Sequence, residues 1–149
     1  MPEILFYHLE RTTLERALPD LLVRSLARGW RVVLTVGSDE RLQALNNHLW
    51  SFDDSSFLPH GSAADGHAAD QPVWLTTGDD NPNGANVRFL VDGASADDFS
   101  GYERLVFMFD AADPEALATA RGAWTKAREA GADATYWKQD ENGRWKKQA

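Results

Sequence analysis

The chain has 149 residues, 43% hydrophobic and 26% charged, the composition of one globular domain long enough to bury its own core. Its formal net charge of −8 argues against a broad nucleic-acid surface, which needs clustered Lys and Arg. No apolar run approaches the roughly 20 residues that span a bilayer, and the absence of cysteine excludes disulfides and thiolate chemistry. The opening MPEILFYHLE carries no basic stretch of the kind that begins a secretory signal, so a cytoplasmic protein with no membrane partner is expected.

Ile4–Tyr7 reads as a buried strand. Thr12-x-x-Glu15 predicts a capping box, in which hydroxyl and carboxylate satisfy the free amides of a helix start. Leu14, Leu18, Leu21, Leu22 and Leu26 then form an amphipathic stripe, with Pro19 predicting a kink or a later start. Arg31–Val36 is a second apolar strand, and Ser38-Asp39-Glu40 caps a helix with Leu42, Leu45 and Leu49 facing inward. A loop over 51–71 follows, then strands at Pro72–Thr77, Asn86–Val91 and Tyr102–Phe109, the first two separated by the turn-rich GDDNPNGA. Asp113-Pro114-Glu115 starts a helix that ends at Gly131, and Thr135–Gln139 with Arg144–Gln148 form a last strand or a hairpin. Strands alternating with helices, and strands that are nearly continuous apolar runs, indicate an α/β sandwich with a largely parallel sheet. The chain divides into a single α/β domain over 1–138 and a basic C-terminal extension over 139–149.

The motifs of the common α/β enzymes are missing. Only Gly37-Ser38-Asp39 separates the second strand from its helix, with no glycine-rich phosphate loop, and no G-x-S-x-G elbow occurs. His8, His48, His60 and His67 lack the spacing of a helical metal site, so neither metal nor cofactor is expected. His60 has two readings: a general base oriented by Asp53 or Asp54, or a ring that bonds a backbone group and fixes the turn after Pro59. Asp79-Asp80 and Asp97-Asp98 are most simply solvated loop acids.

The charge is uneven. Residues 1–120 hold 8 basic and 19 acidic side chains, whereas residues 121–149 hold 7 basic and 4 acidic. On the helix of that positive end, Ala116, Ala120, Ala123 and Ala127 share a face that can approach a sheet closely. Beside it Leu117, Arg121, Trp124 and Arg128 form a second stripe, two guanidiniums flanking one indole. That stripe suits an acidic ligand with an apolar anchor, or it is a tryptophan packed at the sheet edge and solvated by its neighbours. Its place in the net-positive part of the chain favours a ligand site.

Phe6-Tyr7-His8-Leu9, Leu49-Trp50, Ser56-Phe57-Leu58-Pro59-His60-Gly61, Pro72-Val73, Arg121 and Ala130-Gly131 occur in the order seen in a known family. From about Ile4 to Trp137 the chain resembles the chi subunits of bacterial DNA polymerase III holoenzyme. The resemblance implies a Rossmann-like three-layer α/β/α sandwich and a non-catalytic, clamp-loader-associated adaptor without high-affinity nucleic-acid binding of its own. It implies as partners the acidic, phenylalanine-ended C-terminal tail of single-stranded DNA-binding protein, on Arg121, Trp124 and Arg128. It also implies psi or a helicase, on a surface carrying Trp50, Phe57, Pro59 and His60. Family members carry a further basic residue about one turn before the arginine, where Ala116-Leu117-Ala118 is apolar here, so Lys126 is expected to share the work. The alternative function is a small-molecule enzyme using His60 at the strand ends.

Overall fold

A computed structural model describes residues 2–51, 59–96 and 100–149. Eight strands, β1 (Glu3–Leu9), β2 (Val32–Val36), β3 (Gly61–Ser62), β4 (Val73–Thr76), β5 (Val87–Val91), β6 (Arg104–Asp110), β7 (Asp133–Gln139) and β8 (Trp145–Lys147), form one sheet in the order β3-β4-β2-β5-β6-β1-β7-β8. All neighbours are parallel except β7 and β8, which close the edge as an antiparallel hairpin. Three helices, α1 (Leu14–Ala27), α2 (Asp39–Ser51) and α3 (Pro114–Glu129), complete a three-layer α/β/α sandwich.

Both faces of the central strands are apolar because both are covered. Along β1, Ile4 and Phe6 join the core beneath α3, while Tyr7 and Leu9 join the core beneath α1 and α2. Phe6 and Phe107 are register partners on β1 and β6, and their rings stack with centroids 4.8 Å apart. On the other face Leu18, Leu22, Leu45 and Leu49 are buried against Val32, Leu34 and Val87. Burying side chains of this size contributes on the order of 1.5–3 kcal/mol each.

The start of α1 differs from the sequence expectation. The helix begins at Leu14 behind Thr13, whose side chain makes no capping bond, and Glu15 is drawn away to an ion pair with Arg41, so no capping box forms. Pro19 lies inside the helix rather than at its start. Proline has no N–H, so the Glu15 carbonyl loses its intrahelical donor. His48 of α2 replaces it, its Nε2 lying 2.6 Å from that oxygen. The Ser38 cap is as expected, with Ser38 Oγ accepting from the Arg41 N–H at 3.2 Å.

The 51–71 stretch, read from sequence as a loop, contains the short edge strand β3 and a 3-10 turn at Ala68–Asp70. The strand expected from Tyr102 starts instead at Arg104. The last strand is a hairpin, so residues 145–147 join the sheet through β8.

On the α3 side, α3 packs over β6, β7 and β1. The adjoining strands on this side are roofed differently. Arg88, only 3% exposed in β5, donates to the carbonyls of Gly78, Asp79 and Asp80, to Thr35 Oγ1 and to the Tyr102 hydroxyl. A charged group this buried is tolerated because several fixed dipoles surround it. Asp80, though exposed, is also a local anchor: it accepts from Trp74 Nε1 at 3.0 Å and from the Thr76 hydroxyl at 2.5 Å. Burial would raise its pKa, but these bonds and the nearby Arg88 charge hold it below the ordinary carboxylate value.

Candidate functional site

α3 is fixed at both ends. The Asp113 carboxylate accepts from the Glu115 N–H at 3.0 Å and the Ala116 N–H at 3.4 Å, Pro114 occupies the first turn, and Gly131 follows the helix at φ +75°. Ala116, Ala120 and Ala127 are buried, so the helix lies close on the sheet and lifts the neighbouring stripe to the rim.

There Trp124 is half-buried. Its ring meets Phe6 edge-on at 5.3 Å and Tyr136 edge-on at 6.0 Å, which sets its orientation. The Arg128 guanidinium lies 5.5 Å from the Trp124 ring centroid. Arg121, exposed, lines the same groove, a space of about 750 Å³ between α3, the end of β1 and β7. Leu117, Phe109 and Tyr136 give the groove an apolar floor, and Lys138 adds a cation at its far wall.

Beneath the groove lies His8, 8% exposed, with Nδ1 2.5 Å from the Tyr136 hydroxyl and Nε2 3.3 Å from Glu10 Oε2. Burial, then the charge of Lys138, lowers the His8 pKa, partly opposed by Glu10. The ring is therefore neutral at pH 7. The Glu10 carboxylate only accepts, so Nε2–H donates to it and Nδ1 accepts from Tyr136 O–H. Burial raises the pKa of Tyr136, against the pull of the Arg121 charge.

Sequence reasoning named Arg121, Trp124 and Arg128: Arg121 and Trp124 line the groove, while Arg128 lies over the Trp124 ring without lining it. Lys126 is different: two residues past Trp124, it projects roughly 200° around the helix and does not line the groove. His8, Tyr136 and Lys138 were missed. Strand alternation was the available signal, since Tyr136 and Lys138 must share one face of β7.

At the other named surface, Trp50 ends α2 half-exposed and its ring packs 4.2 Å from that of His60. Pro59 is half-buried, and Phe57 lies outside the described residues. His60 is 3% exposed, and its Nε2 lies 3.2 Å from the Asn46 carbonyl of α2. That is the turn-fixing reading. The enzymatic alternative needs His60 at the carboxyl strand ends, but it immediately precedes β3, at the amino end of an edge strand parallel to β4. Among the described residues no group of His, Asp or Glu is arranged to hold a metal ion, and no helix is long and apolar enough to cross a membrane.

Fold and groove together define a Rossmann-like α/β protein with no phosphate loop and a cationic, aromatic cleft beside its last helix. The sequence profile of the DNA polymerase III chi subunit, HolC, matches residues 1–135. The chain belongs to that family. It is also similar to the "Probable DNA polymerase III subunit chi" of Rickettsia prowazekii (strain Madrid E), 28% identical over 91 residues, which are 61% of this chain and 55% of the relative. The matched stretch thus spans about half the relative's length.

Proposed function

We propose that this chain is a non-catalytic accessory subunit that links DNA polymerase III to single-stranded DNA-binding protein. It does so by holding that protein's acidic C-terminal tail in the groove beside α3. The observation that carries this reading is a groove in which Arg121 and Lys138 flank a half-buried Trp124 over an apolar floor, with Arg128 above the same ring. Guanidiniums pair with tail carboxylates, and the space against Leu117, Phe109 and Tyr136 takes the terminal aromatic ring. Membership of the chi family supports it, because chi is by name a subunit of DNA polymerase III. A second surface centred on Trp50 and Pro59, held by the buried His60 and, on the sequence reading, extended by Phe57, contacts psi or a helicase. Trp50, half-exposed on a helix end, is the kind of ring that anchors a protein interface.

The test is a titration of the protein with a tail peptide. Arg121→Ala is expected to weaken binding by about 1.5–3 kcal/mol, the contribution of a charged hydrogen bond, and added salt should weaken the parent further. Equal affinity of variant and parent would remove Arg121 from the site.

A further inference from the structure

The sheet edge formed by β1, β7 and β8 carries a second groove, on the face opposite α3. It lies between α1 and the β7–β8 hairpin and encloses about 1010 Å³. Its floor is aromatic. Tyr7 stacks near-parallel with Trp137 at 6.2 Å and meets Trp145 edge-on at 4.7 Å, and all three rings are half-buried. Trp137 Nε1 already donates to Thr135 Oγ1 at 2.9 Å, so it offers its ring rather than its N–H.

The walls are basic, in a protein whose net charge is −8. Four arginines line the groove against two acids, Asp20 and Glu141. Arg24 is engaged by Asp20 at 3.0 Å. Arg11, Arg16 and Arg144 are exposed and make no ion pair among the described residues. Nothing in the fold requires them there, and like charges gathered at one cleft repel unless an anion joins them.

The geometry points to a site for a short single-stranded nucleic-acid segment, its phosphates on Arg11, Arg16 and Arg144 and its bases on the Tyr7–Trp137–Trp145 platform. Cations beside planar aromatic faces are what single strands use, since every base has a face to stack and every linkage a charge to neutralise. An acidic peptide with one aromatic tip would use the same arginines but cover only part of three aromatic rings, whereas successive bases can cover all of them. Here the aliphatic lining is limited to Ala17 and Leu21. The site is small and local, so it agrees with an overall charge that rules out a long polyanion track. The sheet separates it from the α3 groove, so both can be filled at once.

The experiment is fluorescence anisotropy of a labelled oligothymidylate with the full chain at low salt. Binding should fall with salt with a log–log slope of about −2, the value for three neutralised phosphates on a single strand. Arg16→Glu with Arg144→Glu should weaken it by at least about tenfold, while Arg16→Lys with Arg144→Lys keeps most of it. Thermal melts check that both pairs of exposed substitutions leave the fold intact. No oligonucleotide binding, or binding indifferent to the charge reversal, overturns the proposal. So does an acidic peptide that binds the parent, loses affinity on the same reversal and displaces nothing but itself.

Discussion

The crevice at the strand ends and the groove beside α3 differ in charge, and the difference is instructive. The crevice at the carboxyl ends of β1, β5 and β6 is where parallel α/β sheets usually bind. Here it is lined by Glu10, Glu15, Asp92, Asp110 and Asp113, with Arg41 bonded to both Glu15 and Asp92. Where a phosphate would approach the β2–α2 turn, the Asp92 carbonyl already occupies the space beside Gly37: a Cβ there would lie 1.9 Å from that oxygen. The groove beside α3 shares Glu10 with that crevice but adds Arg121, Lys138 and aromatic rings. The fold has kept its frame, lined its ordinary ligand crevice with acids, and placed a cationic cleft on the flank of the last helix. Site location follows side-chain chemistry rather than topology.

Crowding the turn after β2 should therefore damage the fold. Gly37→Ala forces backbone against backbone and is expected to cost about 3 kcal/mol, read as a lowered midpoint in urea unfolding. An unchanged midpoint would mean that the 92–94 backbone yields to the added methyl group and the contact is not rigid. A smaller effect belongs to Arg41. Arg41→Ala leaves Glu15 and Asp92 facing each other without their shared cation, with an expected loss of about 1 kcal/mol for part-exposed pairs. Burial already raises the Asp92 pKa against the pull of Arg41, so the variant should shift it further upward in a carboxyl NMR titration.

The smallest expected effect sharpens the contrast from the other side. His8 beneath the α3 groove has its pKa lowered from 6.5, chiefly by burial. Between 6.5 and the folded value the unfolded chain takes up a proton that the folded chain refuses, so stability rises with pH across that window and is level above it. Only as pH falls further, through the folded value, does protonated His8 add a cation to the groove, so an acidic peptide should bind more tightly there. His8→Gln should flatten both curves.

Much of the frame was readable residue by residue. Apolar runs such as Arg31–Val36 gave strands, Ser38 and Asp113 gave caps, and the alanine spacing of α3 gave its buried face. Local chemistry decides these features, so a local reading finds them. What stayed hidden depends on register. His8 and Lys138 are 130 positions apart yet partners across β1 and β7, as are Phe6 and Tyr136, and no single sequence states that pairing. Arg88 sits inside an apolar run, and nothing nearby announces the carbonyls it gathers from residues 78–80. The capping box failed for a related reason, since Glu15 found a better partner in Arg41 on another helix. The stripe of Arg121, Trp124 and Arg128 lies within one helix, which is why half of the groove was visible and its far wall was not.

The central claim is that the α3 groove takes a negatively charged chain end by its aromatic tip. Isothermal titration with two tail peptides, identical but for the final phenylalanine, tests it most directly. The account predicts measurable heat for the full peptide and at least about a tenfold loss without the last ring, about 1.4 kcal/mol. Equal affinity for both peptides would contradict it, because charge alone would then explain the binding and the Trp124 groove would have no role.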